Sequence, residues 1–322
     1  MMRKRFILIQ LFVFAIIGVI SYSAVYNPFS TEYIQEVKQE ARMASTTMQQ
    51  SLYEQIQEAA EQYNEPAVDA VVDKVWKAVP GYNGRVVDID ASYKKMNQKG
   101  QFDKDLLVFK EESPKVHLSD LPPTPIYKGN SQKPMVAFLV NVAWGNEYLP
   151  DMLKTFQKHN VKATFFLDGS WVKNNPKLAK MILEEGHEIG NHAYSHPDLK
   201  QMSNERIHEE ILKTNETIQA ALDVKPRWFA PPSGSYRQDV VDIAHEHGMG
   251  TIMWTLDTID WKSPEPSSMA ARIVKDSHPG AMILMHPTGA SRDGLESMIT
   301  GMKEKGLKIG TVSRLVDEGR VQ

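Results

Sequence analysis

The stretch VAFLVNVAWGNEYLPDMLKTFQKHNVKATFFLDG, residues 136–169, sets the reading of the whole chain. It holds two apolar runs of strand length, 136–142 and 163–167. Between them, residues 149–159 carry apolar side chains at helical spacing. Strand, amphipathic helix, strand is the repeating unit of a parallel sheet, because parallel neighbours need a long crossover. The same alternation runs to the C-terminus. Strands are expected at 188–190, 228–230, 251–256, 281–285 and 307–311, and helices at 176–185, 203–222, 238–247, 267–276 and 293–305. Asn175 before Pro176 marks a helix start. Gly186, Gly248 and Gly306 stand where left-handed caps end helices.

The unusual residues fall at the carboxyl ends of these strands. Asn141 ends the first and Asp168 the second. His192 and His196 follow the third, and Pro231, Pro232 and Tyr236 the fourth. Asp257, Asp260 and Trp261 follow the fifth, and His286 the sixth. In a (β/α) barrel these ends surround one pocket, whereas an open doubly wound sheet gathers its site at one switch point. Seven strands with special residues around the ring predict an α/β fold, a barrel one unit short of eight.

Upstream of the barrel the chain reads differently. Arg3-Lys4-Arg5 precedes an uncharged apolar run from Phe6 to Val25, about the 20 residues that span a membrane. Residues 1–26 are therefore expected to be a signal anchor or signal peptide, with everything after them outside the cytosol. Residues 27–120 read as a small α/β module. It opens with a helix at 31–64, followed by a helical segment at 67–78 and strands at 85–89 and 106–109. The Pro-rich stretch 121–134 reads as a linker, and 135–322 as the barrel.

Bulk properties narrow the function. The 322 residues are 42% hydrophobic and 24% charged, with a formal charge of -3, so nucleic acid is not an expected partner. There is no cysteine, which excludes disulfides and leaves only His and carboxylate as strong metal ligands. His192 and His196 are four residues apart, a spacing that on a helical turn aims both imidazoles to one side. Such a pair makes two-thirds of a three-ligand catalytic zinc site.

The segment 134–320 resembles the NodB-homology polysaccharide deacetylases, carbohydrate esterase family 4. The resemblance rests on His192-Ala-Tyr-Ser-His196-Pro197, Phe229-Ala230-Pro231-Pro232, Asp257-Thr-Ile-Asp260-Trp261 and Leu284-Met285-His286, four pieces in the right order on the right strand ends. With its N-terminal segment and small module, the whole chain looks like the sporulation-associated branch found in spore-forming Gram-positive bacteria. The resemblance implies a distorted (β/α)7 barrel that removes acetyl groups from N-acetylhexosamine polymers such as peptidoglycan. It also implies zinc or a similar divalent ion held by an Asp and two His, here His192 and His196, and a second Asp acting as general base. An Arg after the fourth strand would hold that base. His286, tethered by Asp257, would protonate the leaving amine, and Pro231, Tyr236, Trp261 and Leu284 would contact substrate.

This chain departs from that pattern where the chemistry is concentrated. Asn141 stands at the position of the base, Val142 at that of the metal carboxylate, and Ala230 at that of the Arg. Asn does not accept a proton near neutral pH, and Val does not coordinate a metal. The expectation is a membrane-anchored, extracytoplasmic protein that acts on or binds N-acetylated cell-wall glycan, with catalysis impaired or absent and zinc binding weakened. Two alternatives stay open. One is an active deacetylase whose site is completed by Asp168 or a water. The other is an envelope interaction protein that uses residues 31–128.

Overall fold

In the computed structural model of the chain, residues 2–25 and 28–321 are described. Met2–Val25 is a single α-helix. Among the described residues no helix is long and apolar enough to cross a membrane. Met1 and Tyr26 of the expected anchor lie outside the described residues, as do the side chains of Arg3, Lys4 and Arg5. The membrane-helix reading therefore gains no support here.

The chain divides into two compact units, residues 1–64 with 86–110, and residues 65–85 with 111–322. In the smaller unit, the buried residues of helix Pro28–Tyr63, among those described, lie in its C-terminal part. Leu52, Ile56 and Ala60, one helical turn apart, form an apolar cluster with Val87 and Met96. Helix Ile89–Met96 begins at Asp88, whose carboxylate accepts the Ala91 N–H. Residues 106–109 were expected as a strand, but a short 3-10 turn, Lys104–Leu106, takes their start, and the strand is Phe109–Glu112.

In the larger unit, residues 67–78 correct the expected helix. They hold a β-hairpin of strands Val71–Asp73 and Lys77–Val79. Asp73 Oδ1 accepts the N–H groups of Val75 and Trp76, each at 2.7 Å, and Lys77 takes φ 60°. A local Asp turn has overridden an apolar spacing that would equally suit a helix.

The main sheet has eight strands, numbered here in chain order: β1 Met135–Val142, β2 Thr164–Leu167, β3 Glu188–Asn191, β4 Trp228–Phe229, β5 Gly250–Thr251, β6 Leu256–Asp257, β7 Met282–Met285 and β8 Lys308–Gly310. All pairings between them are parallel, in the order β6-β7-β1-β2-β3-β4-β5. Ala137 is in register with Met282 of β7 and Gly310 of β8, so β8 lies on the β2 side of β1, below the start of β2. The expected single strand at 251–256 is two short strands, because the chain leaves the sheet between Ile252 and Thr255. The result is a curled parallel half-barrel, consistent with the expected distorted barrel.

At the free edge, the Pro-rich segment packs on the sheet. Ile126 is buried, bridges Ile252, and accepts the Met253 N–H at 2.8 Å. It also bridges Lys77 of the hairpin, so the edge is covered and not left open to foreign strands.

Every residue of β1 is buried, as a strand covered on both faces requires. Val136, Phe138, Val140 and Val142 join the apolar layer that also contains Leu149, Met152 and Phe156 of helix Leu149–Lys158. Met135, Ala137 and Leu139 face the other way, into a cluster with Ile252 and Met282. By the same alternation Asn141 belongs to this inner face.

One buried histidine in this layer has a measurable consequence. His187 Nδ1 accepts the Ala163 N–H at 3.1 Å, between the rings of Phe156 and Phe165. Its Nε2 is buried without a partner among the described residues. Burial, with Lys162 nearby, pushes its pKa down from 6.5 to about 4. The folded state therefore disfavours the imidazolium that the unfolded chain forms below pH 6.5. Stability should be full above that pH and fall by up to about 3 kcal/mol as pH drops toward 4. Urea unfolding across this window should show a shallower slope for His187→Asn, which keeps an acceptor for Ala163. An unchanged slope would remove His187 as the cause.

Candidate functional site

The site begins where β1 ends. Asn141 is 3% exposed, and its Oδ1 is buried with no hydrogen-bond partner among the described residues. Leaving such an atom unpaired costs about 1–3 kcal/mol. Its neighbour Val142 is fully buried in the outer apolar layer.

The histidine pair comes together through a loop, which corrects the helical turn expected from its spacing. Residues 192–198 follow β3 without helical structure, and Ala193 and His196 take φ 61° and 55°. Left-handed backbone is uncommon for such residues and persists only when its surroundings impose it. The surroundings are visible. Glu210, on helix Asn204–Leu222, accepts the N–H groups of Tyr194 and Ser195 and the Ser195 hydroxyl, each at 2.8 Å. Asn191 accepts the Ala193 N–H and donates to Ile211 O. The two imidazole centroids end 5.2 Å apart. His192 is 1% exposed, and its Nδ1 lies 2.7 Å from Ala230 O. A carbonyl only accepts, so the proton sits on Nδ1 and Nε2 is bare. Burial, then the neighbouring His196, pushes the His192 pKa down to about 3.

On the opposite side of the cavity stands His286, just past β7. Its carboxylate tether is Asp260, not Asp257. Asp260 Oδ1 lies 2.8 Å from His286 Nδ1, while Oδ2 accepts the His286 backbone N–H at 2.6 Å and the Ser291 hydroxyl. Burial pushes the Asp260 pKa upward, but the hydrogen bonds from His286 and Ser291 outweigh it and hold the group below its usual value. Asp257 instead accepts the Ile259 N–H at 2.8 Å and closes the turn after β6. The Asp-x-x-Asp spacing alone does not distinguish the two. Ile259 in a left-handed conformation brings the second under His286.

A cavity of about 460 Å³ joins these pieces, lined by Asn141, His196, Asp257, Trp261, Leu284 and His286, with Trp144, Ser233 and Trp254 completing it. Asn141, on β1, and Leu284, on β7, reach it alongside residues from the loops after β3, β4 and β6, which requires the sheet to curl. Trp144 is stacked on His286, with ring centres 5.2 Å apart and planes 15° apart, and meets His196 edge-on at 6.3 Å. Gly145 permits this loop path. Its φ is +81°, and a Cβ would stand 1.9 Å from Pro287 O. Two expected substrate contacts are not among the lining residues. Pro231 starts the turn Pro232–Gly234, and the Tyr236 hydroxyl pairs with that of Tyr127 at 2.9 Å. Ser233 carried no signal in the sequence, since its place in the cavity depends on a φ of 54°.

The residues present do not fit a metal. Two imidazoles are in place, but the third position is Val142, turned into the apolar layer. Among the described residues no group of three or more His, Asp or Glu could hold an ion. Asp168, the one candidate replacement, is spent on the N-cap of helix Gly169–Asn174. Its Oδ1 accepts from Trp171 N at 2.8 Å and Ser170 Oγ at 2.6 Å.

Comparison with known proteins places this geometry. A family profile described as polysaccharide deacetylase matches residues 128–252. The chain is 51% identical over 320 residues to the uncharacterized protein YlxY of Bacillus subtilis (strain 168), covering 99% of each. It is 33% identical over 191 residues to a peptidoglycan-N-acetylglucosamine deacetylase of Bacillus cereus, covering 58% of this chain and 70% of that one. Among solved structures, a CE4 family pseudoenzyme from Bacillus anthracis matches with a TM-score of 0.79 at 54% identity, over 84% of this chain and 96% of that chain. A mutant of that pseudoenzyme, described as having restored enzymatic activity, matches with the same TM-score at 53% identity, over 84% of this chain and 99% of that chain.

The two aspartates after β6 should behave differently on removal. Asp260→Ala leaves His286 and Ser291 unpaired and should cost about 3 kcal/mol in urea unfolding, with the His286 ring resonances broadened or shifted. Asp257→Ala, which loses one turn hydrogen bond, should cost about 1 kcal/mol or less. Equal losses would contradict the tether assignment.

Proposed function

Because the chain belongs to the polysaccharide deacetylases of carbohydrate esterase family 4, we propose that it is a non-hydrolysing member that binds N-acetylated cell-wall glycan. One observation carries this reading: β1 ends in Asn141-Val142, where the family places two carboxylates. An amide takes no proton from water near pH 7, and losing a general base forfeits about 10²–10⁴ in rate. Without a third ligand, the imidazole pair has neither the charge nor the geometry to hold a catalytic ion. Of the other carboxylates here, Asp168 caps a helix, Asp260 pairs with His286, and Asp257, on the cavity wall, accepts the Ile259 N–H.

Binding rests on what the site retains. The cavity keeps three indoles, from Trp144, Trp254 and Trp261, and the apolar wall of Leu284. Flat aromatic faces beside hydrogen-bonding groups suit sugar rings. Peptidoglycan N-acetylglucosamine is the substrate named for the Bacillus cereus relative, and a CE4 pseudoenzyme is the description of the Bacillus anthracis one. This reading puts the protein outside the cytoplasm, where that polymer lies.

Metal analysis of the unmodified protein tests the proposal directly. The expected result is far less than one equivalent of zinc and no acetate released from N-acetylglucosamine oligomers. A full equivalent together with hydrolysis would overturn it. The triple substitution Asn141→Asp, Val142→Asp and Ala230→Arg should raise metal affinity and hydrolysis together, provided that the carboxylate at 142, the last residue of β1, turns out of the apolar layer that holds Val142 and toward His192 and His196; no gain in metal binding would mean that it stays in that layer. Ala230 is 1% exposed. Ala230→Arg alone should therefore destabilise by about 3 kcal/mol or more, because it buries an unpaired guanidinium. Adding Asn141→Asp should recover part of that loss.

A further inference from the structure

We propose that Asn141 is the residue that recognises the intact acetamido group, so that the pocket distinguishes acetylated from deacetylated glycan. The inference deepens the glycan-binding reading and depends on it. Asn141 sits at the inner end of β1, 3% exposed, with Oδ1 open to no partner among the described residues, on the wall of the cavity. Other buried amides in the barrel unit are used. Asn191 donates to Ile211 O and Asn215 Oδ1 and accepts from Ala193, and Asn130 donates to Pro80 O and accepts from Gln132. Asn141 contributes no such bond to the fold, so its polarity is better matched by a ligand than by the protein.

The chemistry of the side chain says which ligand. A carboxylate at this position only accepts hydrogen bonds. A carboxamide offers one acceptor and two donors in a plane. A secondary amide complements either end of a carboxamide, its C=O accepting from Nδ2 or its N–H donating to Oδ1; because it is trans, its N–H and C=O point apart and it makes one of these bonds at a time. An N-acetylhexosamine carries that group on its ring, and its methyl is apolar. Leu284, 4% exposed, supplies an apolar surface in the same cavity, and Trp144, 45% exposed, supplies a face for the sugar ring. A deacetylated sugar presents an ammonium in place of the amide. It has no carbonyl for the Asn141 amide to donate to and no methyl to place against Leu284. Asn141 is also neutral, so it pairs with the acetamide without drawing a proton from water, and the bond that the family would cleave stays whole.

Calorimetric titration of the full chain with tetra-N-acetylchitotetraose and with its fully deacetylated counterpart tests this. The unmodified protein should bind the acetylated oligomer about tenfold or more tightly. Asn141→Ala should lose about that factor for the acetylated oligomer and leave the deacetylated one unchanged, whereas Trp144→Ala should weaken both. Asn141→Leu should melt no lower than the unmodified protein, because it removes a polar atom that the fold does not pair. If the unmodified protein binds neither oligomer, the glycan-binding reading itself fails. If it binds both equally, or if Asn141→Ala keeps the preference for the acetylated form, this inference alone is overturned. A lower melting point for Asn141→Leu would give the amide a structural role and count against it as well.

Discussion

Strand β1 is the constraint on which the rest depends. It pairs with β7, β2 and β8, and all eight of its residues are buried. Burial on both faces makes the period of two absolute: a slip by one residue would exchange the helix-facing and cavity-facing sets. Val142 therefore belongs to the apolar layer and Asn141 to the cavity. The two positions that matter most for chemistry are assigned to opposite environments by the same alternation that packs the core.

The polar groups around the cavity differ in what holds them in place. Asp260, His286 and Ser291 form a buried network in which the carboxylate accepts three hydrogen bonds. A satisfied network stabilises the fold whether or not it catalyses anything, and removing one member strands the others. The same holds for Asn191 and Glu210, which shape the loop bearing His192 and His196. A pair of carboxylates at 141 and 142 would be different. Without a cation and an Arg to face them, each would be an unpaired charge held out of water, and a neutral side chain avoids that cost. Ala230 in place of Arg fits the same logic, since a guanidinium without its carboxylate is also an unpaired buried charge. Asn141 is the exception, because its amide keeps a polarity that the fold does not pair.

Much of the fold was legible in the chain itself. Alternating apolar runs and amphipathic helices placed most strands within a residue or two, from the 136–142 run that became Met135–Val142 to the 281–285 run that became Met282–Met285. The failures were local. Residues 67–78 have spacing compatible with a helix, yet Asp73 closes a turn there. The 251–256 run broke because the chain leaves the sheet between Ile252 and Thr255. Neither event changes the apolar pattern, so neither could be read from it.

Residue identities alone decided which chemistry was possible: no thiolate, one pair of histidines four residues apart at 192 and 196, and Asn-Val at the end of one strand where the resemblance implies two acids. Those are statements about functional groups, which need no coordinates. Only the tertiary structure decided which groups meet. It chose Asp260 over Asp257 as the partner of His286, committed Asp168 to a helix cap, laid Trp144 over His286, and left Asn141 facing the cavity without a partner. The reason is physical. A hydrogen bond depends on separations of about 3 Å, and those are set by left-handed loop residues and by strands far apart in the chain, not by spacing along it.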